Sequence, residues 1–224
     1  MIRFGPINIR KCTNKYLPPK LNYFTSWIIF FKKSIDLHKL WRMSDRLLLN
    51  AKEVNIILNR LACQLRETHL DFSNTVLIGL QPRGAVVAKR LVDILSKEYG
   101  IHHVPLGLMD ITFFRDDFRR STKVLEAKEN MMEVQIEGKR VVLIDDVLFT
   151  GRSVRAALTA IDSYGRPSEI QLLTLIDRRF SRHLPIQPDF LGRQVDAIQN
   201  ERVRVHWEEE DGQDAVYLTP SAHE

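Results

Sequence analysis

The chain has 224 residues, 44% of them hydrophobic, enough for one α/β domain with its own core and short of what two full domains need. Its two cysteines, Cys12 and Cys63, exclude a disulfide framework and a four-cysteine zinc site, and fit a reducing, cytoplasmic setting. The net charge of +5 is uneven: residues 1–42 carry nine basic side chains against Asp36, a net of +8, so the remaining 182 residues sum to −3, a weak footprint for nucleic acid.

Phe24 to Phe31 is an apolar run like a short signal-peptide core. It is too short to span a bilayer, has no small-residue cleavage pattern, and is interrupted by Lys32, Lys33 and Asp36. Residues 1–42 therefore read as a basic extension, poorly ordered or added by a misplaced start, and residues 43–224 as the domain proper.

Asn50 three residues before Glu53 predicts a capping box, and Val54, Leu58, Leu61 and Leu65 then repeat on one face of a helix ending near His69. Thr75 to Leu80 is a buried-type strand, followed by the turn Gln81-Pro82-Arg83-Gly84 and a helix carrying Val87, Leu91, Ile94 and Leu95. Val104 to Phe114 reads as the next strand. The charged, aperiodic stretch from Arg115 to Gly138 reads as a long mobile excursion. Arg140 to Asp145 is the most apolar strand, and the helix after Ser153 turns Val154, Ala157, Leu158 and Ile161 toward a core. Glu169 to Ile176 is another buried strand, Leu184 to Phe190 with its two prolines an irregular hood, and Val203 to Trp207 a half-exposed strand paired with Ala215 to Leu218. Strands alternating with helices predict an α/β fold with a mostly parallel central sheet flanked by helices, with ligands beyond the carboxyl ends of the strands.

The chemistry concentrates in residues 141–153, Val-Val-Leu-Ile-Asp-Asp-Val-Leu-Phe-Thr-Gly-Arg-Ser. The N–H groups of Thr150, Gly151, Arg152 and Ser153 at a helix start form an anion cradle, helped by two hydroxyls and the helix dipole. Asp145 and Asp146, at the strand end, can accept hydrogen bonds from vicinal ribose hydroxyls and offset positive charge on the ribose ring. An isolated pair of aspartates would be read as a strand cap; thirteen residues in a strand-loop-helix context point to ribose 5-phosphate binding.

This segment resembles the phosphoribosyl-pyrophosphate (PRPP) signature of type I phosphoribosyltransferases, with Phe149 where many members have a small residue. Asp110 to Asp117, Gly151 to Ala156, Gly165-Arg166-Pro167, and Leu184-Pro185-Ile186 with Asp189 and Gly192 are similar to one branch, the pyrimidine-operon regulator family PyrR, over residues 44–218. The resemblance implies a type I phosphoribosyltransferase fold with a flexible loop and a small hood. It implies conversion of uracil and PRPP to UMP and pyrophosphate with Mg²⁺ held mainly through PRPP near Asp145 and Asp146, and no direct protein cage. Arg83 joins the two aspartates as a catalytic candidate, in the pyrophosphate loop. Gln81-Pro82 replaces the lysine and threonine that relatives often carry there. Substrate contacts fall to Gly84, Val147, Leu148, Phe149, Thr150, Gly151, Arg152 and Ser153, to Arg115 and Arg119 in the flexible loop with Arg120 beside them, and to Asp177 and Arg178 at the base pocket.

The same resemblance implies a cytoplasmic homo-oligomer, dimer or tetramer, and nucleotide-dependent binding of an mRNA leader in transcription attenuation. The RNA face would include the first helix with Arg60 and Arg66, where Asn59 and Cys63 replace the side chains expected there, and Arg152, Arg155 and Arg166 could add positive charge. An RNA-binding regulator using the site only as a nucleotide sensor, and a purine phosphoribosyltransferase, are the alternatives; base choice rests on the resemblance.

Overall fold

The computed structural model describes residues 45–115, 130–197 and 201–220; the basic extension and most of the predicted mobile excursion lie outside them. Strand β1 (Arg46–Leu49) opens the fold. The sequence reading has no strand there, because four residues with no alternation carry no period of their own and the partner strand is at the far end of the chain. Helix α1 (Ala51–His69) starts where the capping box predicts: Glu53 N–H donates to Asn50 Oδ1 at 3.1 Å and Asn50 N–H to Glu53 Oε2 at 2.9 Å. Val54, Leu58, Leu61 and Leu65 are all buried. Each such side chain contributes about 1.5–3 kcal/mol by leaving water.

Strand β2 (Thr75–Leu80) is buried along its whole length and feeds helix α2 (Arg83–Tyr99). Arg83 and Gly84, expected in a loop, are the first two residues of that helix. Strand β3 is only Leu106–Met109, followed by a 3-10 turn over Thr112–Phe114, so the predicted strand from Val104 to Phe114 is too long at both ends. Asp110 ends it by turning its carboxylate back on Thr112, accepting from the N–H at 2.7 Å and from the hydroxyl. Beyond the undescribed residues 116–129 the chain returns to the same place, where Met131 and Leu108 exchange backbone hydrogen bonds of 3.0 and 2.8 Å.

Strand β4 (Arg140–Leu148), helix α3 (Arg152–Ile161) and strand β5 (Glu169–Arg178) follow. Both strands run further than the sequence reading gave them. In α3, Val154, Ala157 and Ile161 are buried as expected, whereas Leu158 is 37% exposed and faces away from the core. Strand β6 (Phe190–Val195) has no counterpart in the sequence reading, whose hood ends at Phe190; it pairs parallel with β5 from Leu173–Phe190 to Arg178–Val195. The two prolines just before it gave an irregular reading that holds only as far as Asp189.

All five strands of the main sheet are parallel, in the order β3-β2-β4-β5-β6. One core, under α1 and α2, takes Leu77, Val142, Ile144 and Leu173; the other, under α3, takes Val76, Ile78, Val141, Leu143 and Leu172. Alternate residues of β2 and β4 thus serve opposite faces, as the two-residue period of a strand requires. A second sheet of three antiparallel strands, β1-β8-β7, uses β7 (Glu201–His206) and β8 (Ala215–Pro220), joined by the short helix α4 (Glu208–Asp211). The predicted pairing of the C-terminal strands is present, with Val203 opposite Leu218. Arg90 of α2 fastens this sheet: its guanidinium donates to Asp214 Oδ2 at 2.6 Å and to Glu209 Oε1 at 2.9 Å while lying 4.8 Å from the centre of the buried Trp207 ring.

Candidate active site at the strand switch point

From β2 the chain crosses to β3 on one side of the sheet, and β4, β5 and β6 are then added on the other. The strand order therefore reverses between β2 and β4. Crevices form beyond the carboxyl ends of strands at such a point, because the connections leave in opposite directions. Here the ladder between β2 and β4 stops at Gly79–Ile144, while β4 stays paired with β5 to Leu148–Asp177. Asp145 and Asp146, expected where the strand ends, are inside β4 at the point where it loses one neighbour.

Successive residues of β4 point to opposite faces. Asp145 lines a cavity of about 300 Å³ together with Arg115 and the backbone and side chains from Val147 to Val154. Burial, then the charge of Asp146, pushes the Asp145 carboxyl well above the usual range, with Arg115 acting in the opposite sense. Asp146 is not among the residues lining that cavity. Its carboxyl is also raised by burial, against the pull of the Arg83 guanidinium. Arg83 is thus electrostatically part of the site, and its other acidic neighbour is Asp211 of α4 at 3.7 Å. Gly84 lets α2 begin against β4: a Cβ at Gly84 would press into the Ile144 carbonyl oxygen and stand 3.0 Å from Asp145 Cα. No side chain larger than hydrogen fits there without shifting the strand that holds both acids.

After Leu148 the chain turns through Gly151, whose φ of +90° is a conformation that glycine adopts without strain, and α3 begins at Arg152. The start of α3 carries a positive dipole end beside the cavity, and in the turn the Arg152 N–H donates to Thr150 Oγ1 at 3.5 Å. Thr150, Gly151, Arg152 and Ser153, the residues expected to form an anion cradle, thus line one cavity with Asp145.

The hood lies on this turn. Arg182 donates to the carbonyls of Leu148 (3.1 Å), Phe149, Ile186 (3.1 Å) and Arg178 (3.4 Å), and to the carboxylate of Asp177. His183 N–H donates to the Thr150 carbonyl at 3.0 Å. Asp177 and Arg178, expected to meet the base, are buried at the end of β5: Asp177 holds Arg182, while Arg178 stacks 4.0 Å over the Phe149 ring and donates to the Glu201 carbonyl at 2.7 Å. Their side chains build the wall behind the turn. Arg182 is the residue the sequence reading missed as part of the site, since a lone arginine bonded to main-chain carbonyls has no spacing signature.

Among the remaining expectations, Arg119 and Arg120 lie outside the described residues. On α1, Arg60 is exposed but donates to the carbonyls of Leu191 and Gly192, Asn59 bonds Asn55, and Cys63 faces Glu67 at 3.7 Å. Arg152, Arg155 and Arg166 are exposed. Among the described residues no helix is long and apolar enough to cross a membrane.

Residues 47–210 match the phosphoribosyl transferase domain family. A protein of Microcystis aeruginosa called bifunctional protein PyrR is 42% identical over 171 residues, covering 76% of this chain and 95% of that protein. Bifunctional protein PyrR 1 of Lactiplantibacillus plantarum is 42% identical over 175 residues, 77% of this chain and 96% of the relative. Among solved structures, a hypoxanthine phosphoribosyltransferase of Trypanosoma cruzi superposes with a TM-score of 0.59 at 16% identity, covering 80% of this chain and 99% of that one. One from Staphylococcus aureus gives 0.58 at 20% identity, covering 79% and 91%. At such identities the likeness is one of fold.

Proposed function

Because the chain belongs to the PyrR family and carries a phosphoribosyl transferase domain, we propose that the cavity at the end of β4 binds PRPP and transfers its ribose 5-phosphate to uracil, giving UMP and pyrophosphate. The observation that carries this reading is the placement of residues 145–153: an acid, a tight turn and a helix start around one cavity at the strand switch point.

The 5′-phosphate sits on the N–H groups of Thr150, Gly151, Arg152 and Ser153 with the hydroxyls of Thr150 and Ser153. Asp145 and Asp146 accept from the ribose hydroxyls on their two sides of β4. As the bond between C1 of the ribose and pyrophosphate lengthens, positive charge grows on the ring. A carboxylate that burial has made costly to ionise gains most from that charge, so the stabilisation by Asp145 is larger in the transition state than before it. Arg83 and Arg115 bring positive charge to the departing pyrophosphate. The base enters beside the β5 end and the hood, where main-chain groups meet its polar edge.

Two carboxyls that burial makes costly to ionise, Asp145 and Asp146, would gain from a cation carried in by the substrate. Mg²⁺ bound to PRPP would neutralise pyrophosphate oxygens there and keep several waters.

The reading includes residues 43–224 as the transferase domain, with 1–42 outside it, and a cytoplasmic homo-oligomer, dimer or tetramer; exposed Ile56 on α1 supports a partner subunit. It also includes nucleotide-dependent binding of an mRNA leader in pyrimidine gene regulation, supported by membership of the PyrR family. The test is labelled uracil with PRPP and magnesium, followed for UMP. Labelled UMP that disappears in Asp146→Asn is expected; no UMP from folded protein would overturn the reaction.

A further inference from the structure

The turn between β4 and α3 offers its N–H groups to one side, so its carbonyls must be held on the other. In a planar trans peptide the C=O and the following N–H point in opposite directions. The carbonyl oxygens of Leu148 and Phe149 accept from the Arg182 guanidinium, and that of Thr150 accepts from the His183 N–H. The N–H groups of Phe149, Thr150 and Gly151 therefore point away from the hood. Arg182 itself is fixed at the other edge of its guanidinium by Asp177, whose side chain is 8% exposed, and through Nε by the Ile186 carbonyl. Packing reinforces the contact: a Cβ at Gly151 would lie 3.4 Å from both Leu184 Cβ and Ile186 Cδ1, so the hood lies directly on the turn.

We propose that Arg182 is the positioning residue of the phosphate cradle, clamping the Leu148 and Phe149 carbonyls to the hood with Asp177 as its anchor, so that the Thr150 N–H, which follows the Phe149 carbonyl, faces the 5′-phosphate. The inference rests on the ribose-phosphate reading of the site. Arg182 acts on the phosphate end of the substrate through the backbone and touches no reacting atom. Lysine cannot replace it, because a single ammonium lacks the planar fork that reaches two carbonyls and a carboxylate together.

The experiment uses the full chain as wild type, Arg182→Met and Arg182→Lys. Calorimetry measures affinity for ribose 5-phosphate, which carries neither base nor pyrophosphate, and kinetics separate the KM for PRPP from that for uracil. Arg182→Met is expected to weaken ribose 5-phosphate and to raise the PRPP KM by tenfold or more, with the uracil KM within threefold; Arg182→Lys recovers less than half of the loss on a logarithmic scale. A folded Arg182→Met with wild-type affinity and PRPP KM overturns the proposal, as do equal losses toward PRPP and uracil, which mark a merely structural role. Should Arg182→Met fail to fold, Asp177→Asn decides: a threefold to tenfold rise confined to PRPP supports the clamp, and no change overturns it. Wild-type protein that binds ribose 5-phosphate through Arg182 yet forms no nucleotide would refute the reaction and leave the clamp standing. Wild type that binds no ribose 5-phosphate refutes both.

Discussion

The N–H of Asp146 donates to Asp145 Oδ1 at 3.0 Å, yet Asp145 lines the cavity with Arg115 while Asp146 lies in the field of Arg83. Each acid thus feels its own cation, Arg115 for Asp145 and Arg83 for Asp146, and in the proposed reaction both answer charge on the ribose. Replacing either by asparagine keeps the shape and removes the charge that answers the developing cation. Asp145→Asn and Asp146→Asn are each expected to lower kcat/KM by about 100-fold or more, the range seen when a preorganised electrostatic group is lost, measured as UMP formation at fixed magnesium.

The raised carboxyl of Asp145 has a second, opposite effect on stability. Between its ordinary pKa of 3.8 and its higher native value, the folded protein holds this proton more tightly than the unfolded chain. Its contribution to stability is therefore present at low pH and lost as pH rises through the native pKa. Ligand-free Asp145→Asn is expected to melt above wild type at neutral pH, by about 2–4 °C for each kcal/mol relieved. The difference should shrink toward zero as the pH falls to about 4, near the unperturbed pKa. A lower melting temperature at neutral pH would contradict the desolvation argument.

Gly84→Ala tests the close approach of α2 to β4. The added methyl meets the Ile144 carbonyl and the Asp145 backbone, neither of which can rotate away. A loss of about 1–3 kcal/mol is expected, as for other overpacked positions, together with a larger fall in turnover than Gly100→Ala gives. Gly100, at the end of the same helix, has open space around it, so Gly100→Ala costs only what its φ of +67° imposes on the backbone and controls for general damage from replacing a glycine.

Arg90 ties the small antiparallel sheet to α2. Burial would raise Asp214, but the Arg90 hydrogen bonds, the Glu208 N–H and the Arg90 charge together outweigh it and hold that carboxyl below its usual range; Arg90 also lowers Glu209. Depressed carboxyls contribute stability that is present above the unfolded pKa and is lost as pH falls through the native one. Arg90→Met is expected to cost about 1–3 kcal/mol at neutral pH, less than a fully buried pair because Arg90 and Glu209 are partly in water. The deficit relative to wild type should narrow in acid melts.

Much of this architecture was legible because it is local. Asn50 and Glu53 announce the cap of α1, the 3.6-residue spacing of Val54, Leu58, Leu61 and Leu65 gives its buried face, and residues 141–153 carry strand, turn and helix start within one short segment. What was illegible is what depends on distant partners. Strand β1 exists because β8 lies beside it, β6 because β5 offers an edge, and the position of Leu158 is set by where α3 rolls on the sheet. Arg182 is the clearest case: its acceptors are main-chain carbonyls of two other segments, and no side-chain pattern encodes them. Asp177 and Arg178 were legible as residues near the site, but their side chains turn to Arg182 and Phe149, because at the end of a buried strand a charge must first find a partner.

The measurement that tests the central claim most directly is PRPP turnover with uracil, hypoxanthine, guanine, adenine and orotate in parallel, at fixed magnesium, with Asp146→Asn alongside. The account predicts UMP from uracil alone, at least 100-fold slower in the variant, in keeping with the loss of one transition-state charge contact. Consumption of a purine or orotate in place of uracil would contradict the base assignment and leave the ribose-phosphate site standing; no turnover of any base by folded protein would contradict the transferase claim itself.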